Sequence, residues 1–199
     1  MKLSSVEFAL MNNPIRAFSQ RVIETPSMFR GEAPLAGKRA LEIGCGRGVG
    51  VEILFRLGAA HVTAFDLDPR MIERAQKRLA RRSDRVSLSV GDVEAIDAPD
   101  ASFDAVADYG ILHHVPDWRR GIGEVARVLK SGGTFHFEEP LGALLDDPHI
   151  AGKLDHPKSA RFSADELREA LEAAGLRIAH WQQIGQVFVL GYAERSVTG

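Results

Sequence analysis

Apolar and polar positions along this chain switch repeatedly between a period of two and a period near 3.6, the spacings of strands and helices. Residues 39–43 make a short apolar run broken by Glu42 and predict a buried strand. Residues 49–57 predict a helix, and residues 61–65 a second strand ending in Asp66-Leu67-Asp68-Pro69. Over residues 70–82, Met71, Ile72, Ala75 and Leu79 share one face and the arginines and lysines take the other, which predicts an amphipathic helix. Val86, Leu88 and Val90 alternate with serines as a half-buried strand, and residues 104–109 predict a fourth. Asp117 can cap a helix running to Leu129, with Ile122, Val125 and Leu129 on one face. Ser131-Gly132-Gly133 then turns the chain into a fifth strand over residues 134–138.

Ser163 and Glu166 form a capping box ahead of Leu167, Ala170, Leu171 and Ala174, and Gly175 stops that helix. Residues 176–183 and 187–193 read as two closing strands with no helix between them, hence an antiparallel hairpin. The alternation predicts an α/β fold, a mostly parallel sheet covered on both faces. Residues 1–36 differ in character. Pro14, Pro26 and Pro34 divide them, and Val6, Phe8, Leu10, Met11, Ile15, Phe18 and Val22 mark short helices. The expected organisation is a cap or lid segment, 1–36, on one globular domain, 37–199. An irregular stretch, 140–162, is expected to join the cap over the sheet's ligand edge, because long loops there are commonly functional.

Composition narrows the class. A length of 199 residues suits one domain with a substantial core. A formal net charge of -2 gives no global attraction to nucleic acid or an acidic membrane. Cys45 is the single cysteine, so no internal disulfide framework exists and a reducing compartment fits. No run is apolar for long enough to span a bilayer, and no secretory signal opens the chain. The expected location is therefore cytoplasmic.

Chemistry concentrates at Leu41-Glu42-Ile43-Gly44-Cys45-Gly46-Arg47-Gly48, a strand end followed by alternating glycines and a helix. Glycines there admit positive φ and close approach of a ligand to the backbone. The first strand-to-helix turn of an open α/β sheet is where nucleotide-like cofactors sit. The dinucleotide fingerprint G-x-G-x-x-G fails in both registers, its last position falling on Val49 or Val51. Glu42 would also repel a pyrophosphate, whereas it tolerates a ligand bearing an ammonium and a sulfonium. Asp66 follows the second strand, about twenty residues past the loop, where a carboxylate can accept ribose hydroxyl protons. Asp92 follows the third strand in Gly91-Asp92-Val93 and could accept from an adenine amino group.

Together these stretches resemble the class I S-adenosylmethionine (SAM)-dependent methyltransferases. The similarity is greatest to the small-molecule branch that includes ubiquinone and menaquinone biosynthesis enzymes. Further carriers of the resemblance are Phe65-Asp66-Leu67-Asp68-Pro69, Gly91-Asp92-Val93-Glu94, Ser102-Phe103-Asp104-Ala105-Val106, Leu112-His113-His114-Val115 and Val128-Leu129-Lys130-Ser131-Gly132-Gly133. The resemblance implies a Rossmann-like, seven-stranded sheet of order 3-2-1-4-5-7-6, strand seven antiparallel. It implies that Gly44, Cys45, Gly46 and Gly48 contact the methionine part of SAM and that Glu42 orients its ammonium. Asp66 would bind the ribose, Leu67 would pack on the adenine, and Asp92 and Val93 would lie at its edge. Asp108 would offer its backbone carbonyl near the ammonium.

The implied reaction is in-line methyl transfer to a small organic acceptor, with S-adenosylhomocysteine (SAH) as product. His113 and His114 are catalytic candidates as proton acceptors, or they shape the pocket. Glu138 could act as base or bind a cationic acceptor, or it could bond the N-terminal segment. Glu139 stands beside it at the same strand end, on the opposite face. Tyr109 could donate to substrate or wall the pocket. Asp146, Asp147, His149, Asp155 and His156 lack a recognised metal spacing, so no metal is expected. The basic run Lys77, Arg78, Arg81, Arg82 and Arg85 reads as a solvated helix face, and Asp108-Tyr109-Gly110 is unlike the motif of amino-methylating nucleic-acid enzymes. The rival functions are a non-catalytic SAM-binding regulatory or partner protein, a dinucleotide oxidoreductase, and a nucleic-acid methyltransferase.

Overall fold

The computed structural model describes residues 18, 20–29, 34–146 and 160–197. Its frame is a seven-stranded sheet ordered β3-β2-β1-β4-β5-β7-β6. The strands are β1 (Arg39–Ile43), β2 (His61–Asp66), β3 (Val86–Val90), β4 (Phe103–Tyr109), β5 (Leu129–Pro140), β6 (Leu176–Ile184) and β7 (Phe188–Arg195). β1 pairs in parallel with β2 and β4, which places the glycine loop at mid-sheet. β7 is antiparallel to both β5 and β6, the hairpin read from the missing crossover.

The helices are α1 (Thr25–Met28), α2 (Val49–Arg56), α3 (Pro69–Leu79), α4 (Trp118–Val128), α5 (Gly142–Leu145) and α6 (Ala164–Ala173). Period-two alternation divides the core into two layers. Leu41, Ile43, Val106, Phe135 and Phe137 pack toward α4 and α6, with Trp118, Ile122 and Leu171. Ala40, Ala64, Ala105 and Ala107 face the other way, where their small side chains admit Val51, Leu54, Ile72 and Leu79 of α2 and α3. Local signals fix the helix ends. Asp68 caps α3 through the Arg70 N–H at 2.9 Å, and Asp117 caps α4 through the Arg120 N–H at 3.1 Å. Ser163 and Glu166 make the reciprocal capping box of α6, and Gly175 at φ 76° follows its end.

Three elements depart from the sequence pattern. α3 ends at Leu79 and tightens into a 3₁₀ turn, Ala80–Arg82. β5 begins at Leu129, so Ser131-Gly132-Gly133 is an irregularity inside its ladder, where pairing jumps from Phe103↔Leu129 to Ala105↔Thr134. Phe18 and Val22, read as marks of short helices, are 62% and 53% exposed. The chain there winds as a π-helical turn, Gln20–Glu24, into α1. Val6, Phe8, Leu10, Met11 and Ile15 lie outside the described residues, as do Asp147, His149, Asp155 and His156. Asp146 is within them and pairs with Arg161. No helix among the described residues is long and apolar enough to cross a membrane.

The N-terminal segment is fastened to the sheet by His136 of β5. Its Nδ1 lies 2.8 Å from the Met28 carbonyl, its Nε2 lies 2.9 Å from Thr134 Oγ1, and its ring stacks on Phe29 at 3.9 Å. A neutral imidazole satisfies this geometry by donating from Nδ1 and accepting at Nε2. Burial pushes its pKa from 6.5 down to about 4. The unfolded chain therefore binds this proton more readily, and the neutral ring's contribution to stability is lost as pH falls from 6.5 through about 4. Unfolding free energy is expected to drop by about 3 kcal/mol across that window from this group. Denaturant titrations at several pH values check it, and an unchanged pH slope in His136→Phe would contradict it.

Candidate functional site

The carboxyl ends of β1, β2 and β4 open into a cleft. Its floor is the glycine loop, where Gly44, Gly46 and Gly48 take φ of 62°, 51° and 82°. These left-handed angles suit glycine, and they let the loop fold tightly between β1 and α2. Gly46, Cys45, Gly44 and Arg47 line the cleft. Gly48 does not; it is the left-handed residue ahead of α2 and packs on Leu79 and Ala75.

Glu42 lies behind the loop, 2% exposed, and its Oε2 has no hydrogen-bond partner. Burial, then the charges of Asp66 and Asp108, hold its carboxyl well above the ordinary range. A cation in the cleft would reverse that balance, because opposite charge favours the ionised form. Gly50, in the first turn of α2, leaves the space this carboxylate occupies; a Cβ there would overlap it. Asp66 lines the cleft and is fixed by two backbone donors. Its Oδ2 accepts from Gly46 N–H at 2.8 Å and its Oδ1 from Asp68 N–H at 2.9 Å. Each oxygen keeps a lone pair for a further donor such as a ribose hydroxyl. Burial raises the Asp66 pKa despite these bonds.

Leu67, 46% exposed, projects over the same cleft, and Asp92 and Val93 form its far wall. Asp92 Oδ1 accepts from Glu94 N–H at 2.9 Å, which sets the turn. The described residues thus bring Glu42, the loop glycines, Asp66, Leu67, Asp92 and Val93 to one cavity, and its three carboxylates are acceptors suited to an amine, ribose hydroxyls and an adenine amino group in that order. Cys45 is a buried thiol whose pKa is raised by burial and by Glu42 and Asp66, which makes it a poor nucleophile.

The catalytic candidates separate. His114 lines the cleft beside Tyr109, Gly110, Ile111 and Val115. His113 is turned away and buried, with Nδ1 2.7 Å from Glu139 Oε2. The two rings touch at 4.1 Å between centroids. Glu138 is 2% exposed and does not line the cleft; its Oε1 lies behind Gly110. The Asp108 side chain is likewise off the cleft, fully buried, with Oδ1 accepting from Ile111 N–H at 2.9 Å.

Sequence reasoning assigned no role at the cleft to Gln20, Phe65, Met71 and Val115. Gln20 brings the N-terminal segment to the site, and Thr25 Oγ1 meets the Tyr109 hydroxyl at 3.1 Å. No periodicity signals such contacts, because they depend on how a separate segment docks.

Comparison with known proteins places this geometry in context. Residues 41–137 match a family described as a methyltransferase domain. The chain is 34% identical over 171 residues to 27-O-demethylrifamycin SV methyltransferase of Amycolatopsis mediterranei, covering 78% of this chain and 60% of that protein. It is 37% identical over 156 residues to a ubiquinone biosynthesis O-methyltransferase of Xanthomonas oryzae pv. oryzae, covering 74% of this chain and 64% of that protein. The chain therefore spans 60–64% of the length of these curated relatives. A crystal structure of an S-adenosylmethionine dependent methyltransferase from Mesorhizobium loti superposes with a TM-score of 0.70 at 21% identity, covering 83% of this chain and 94% of that one.

The packing of Glu42 on Gly50 generates a test. Alanine within a helix is ordinarily more stable than glycine by about 0.5–1 kcal/mol. Gly50→Ala is expected to invert that preference and destabilise by about 1–3 kcal/mol, because the methyl group must displace a buried carboxylate. Urea denaturation measures it, and a stabilised variant would contradict the placement of Glu42.

Proposed function

We propose that the chain belongs to the class I SAM-dependent methyltransferases and that it transfers the methyl group of SAM to a hydroxyl of a small organic acceptor, leaving SAH. The observation that carries this reading is the buried Glu42 carboxylate with an unpartnered oxygen behind a left-handed glycine loop. The O-methyltransferase names of two relatives support a hydroxyl as the acceptor.

In this reading Glu42 receives the methionine ammonium, and the backbone of Gly44, Cys45 and Gly46 lies along the methionine part. Gly48 shapes the loop, and the Asp108 carbonyl faces the ammonium. Asp66 accepts the ribose hydroxyls, while Leu67, Val93 and Asp92 flank the adenine. When bound, SAM supplies a methyl group activated by a sulfonium leaving group. The chain's own part is alignment and exclusion of water, which can lower a barrier by about 7–11 kcal/mol. His114, on the cleft wall, is placed to take the acceptor's hydroxyl proton. His113 and Glu138 are the further candidates, acting from behind the Gly110–His114 turn. Residues 1–36 serve as a cap over the acceptor, supported by Gln20 at the cleft and by the Thr25–Tyr109 contact. A small acceptor rather than nucleic acid, and a cytoplasmic setting for the free thiol of Cys45, complete the proposal.

Calorimetric titration with SAH, SAM and NAD, followed by SAH production from a panel of catechols, phenols, thiols and amines, tests it. SAH is expected to bind and NAD to give no signal. Asp66→Ala is expected to weaken SAH binding by about tenfold or more, the worth of hydrogen bonds to a charged group. Catechols or phenols are expected to turn over. A folded protein that binds NAD, or that binds no adenosyl ligand, would overturn the reading.

A further inference from the structure

Behind the cleft, on the α4 face of the sheet, two acidic side chains meet with no exposure to solvent. Asp108 is the penultimate residue of β4 and Glu139 that of β5, and both are 0% exposed. They share a face because residues 106 and 108 of β4 and residues 135, 137 and 139 of β5 alternate in step across a parallel ladder that pairs Asp108 with Phe137. The register sets the two carboxyl groups beside each other on that face, and the Glu139 charge disfavours ionisation of Asp108. Two like charges held close and away from solvent are costly, and the pair is relieved when one carboxyl group carries a proton.

The donors around the pair decide which. Glu139 Oε1 accepts from Leu112 N–H at 2.7 Å. Its Oε2 accepts from His113 N–H at 3.3 Å and faces His113 Nδ1 at 2.7 Å. Two backbone N–H donors converging on one carboxyl group favour its ionised form. Asp108 Oδ1 accepts from Ile111 N–H, but no donor reaches Oδ2. An oxygen in that position is satisfied when it holds the proton and donates it.

We propose that Asp108 is a neutral acid that donates its proton to the Glu139 carboxylate, and that this pair is the positioning device for the turn carrying His113 and His114. Together the two side chains take the N–H groups of Ile111, Leu112 and His113, the segment that delivers Ile111 and His114 to the cleft wall. Glu139 also fixes the His113 ring with Nδ1 protonated, and that ring packs on His114. Neither acid touches the cleft, so both act through the turn. The other titratable groups facing the pair are His113 on the turn and Glu42 on β1, whose own ionisation the Asp108 charge opposes. Burial raises the Asp108 pKa far from its ordinary value, with Glu139 the next cause, and it raises that of Glu139 as well. The proposal uses the catalytic turn of the reading above, but it can fail or hold separately from SAM binding.

Carbon-13 NMR of the carboxyl groups, assigned with Asp108→Asn, and nitrogen-15 NMR of the His113 ring test it on the full chain. In the wild type the Asp108 carboxyl is expected to remain protonated through neutral pH and to titrate well above the ordinary aspartate range. The His113 ring is expected to hold its proton on Nδ1. Glu139→Gln is expected to change the His113 tautomer ratio, because one of the two carboxylate acceptors facing the turn becomes an amide donor. In Asp108→Asn, whose amide still donates to Glu139, the His113 signal is expected to keep its wild-type tautomer, which separates loss of the acid from loss of the fold. An Asp108 carboxyl ionised at pH 6, or a His113 ring indifferent to Glu139→Gln, would overturn the proposal. A wild-type chain that binds no SAH, but shows the protonated Asp108, would sink the functional reading and leave the acid pair standing.

Discussion

Burial of negative charge at the carboxyl ends of adjacent parallel strands is the constraint on which this structure turns. Glu42, Asp66, Asp108 and Glu139 are the last or penultimate residues of β1, β2, β4 and β5, and burial raises the pKa of each. Desolvating a carboxylate is costly unless hydrogen bonds or an opposite charge offset it. The chain meets that cost in different ways. Backbone N–H groups of the glycine loop and of Asp68 hold Asp66. The turn after β4 holds Glu139 and Asp108. Glu42 keeps an oxygen with no hydrogen-bond partner, and it does so where the cleft begins. An arrangement that costs the isolated fold stability and is relieved by a cation is what a binding site for an ammonium requires.

The glycine loop and the sheet serve that constraint. Parallel pairing of β1 with β2 and β4 brings Ile43, Phe65 and Asp108 into register. The loop that follows β1 must then turn sharply enough to start α2 beside its own strand, which left-handed backbone at Gly44, Gly46 and Gly48 permits. Gly50 completes the fit by leaving room for the carboxylate. The same residues that close the core therefore shape the cleft, so packing and ligand geometry are set together.

Features governed by periodicity and local chemistry were legible in the sequence. The alternation in Val86, Leu88 and Val90, the capping box at Ser163 and Glu166, and the missing crossover before β7 each carry their structure in nearby residues. So does the Leu41–Gly48 run, which is why the cleft acids and glycines could be read in advance. Long-range contacts were not legible. The Ser131–Gly133 turn became part of an extended β5 because of its pairing with β4. The exposure of Phe18 and Val22 was not legible either, since burial depends on how the segment docks. Glu139 gave no sign that it would accept from the backbone N–H groups of Leu112 and His113, 27 and 26 residues earlier. His113 and His114 are adjacent in sequence, yet only the fold distinguishes the ring at the cleft from the ring behind it.

The most direct measurement of the central claim is a crystal structure of the chain grown with SAH. The account predicts the amino group of SAH at Glu42, its ribose hydroxyls on Asp66 and its adenine between Leu67 and Val93. A well-ordered SAH bound elsewhere, or bound in this cleft with Glu42 facing no amine, would contradict it.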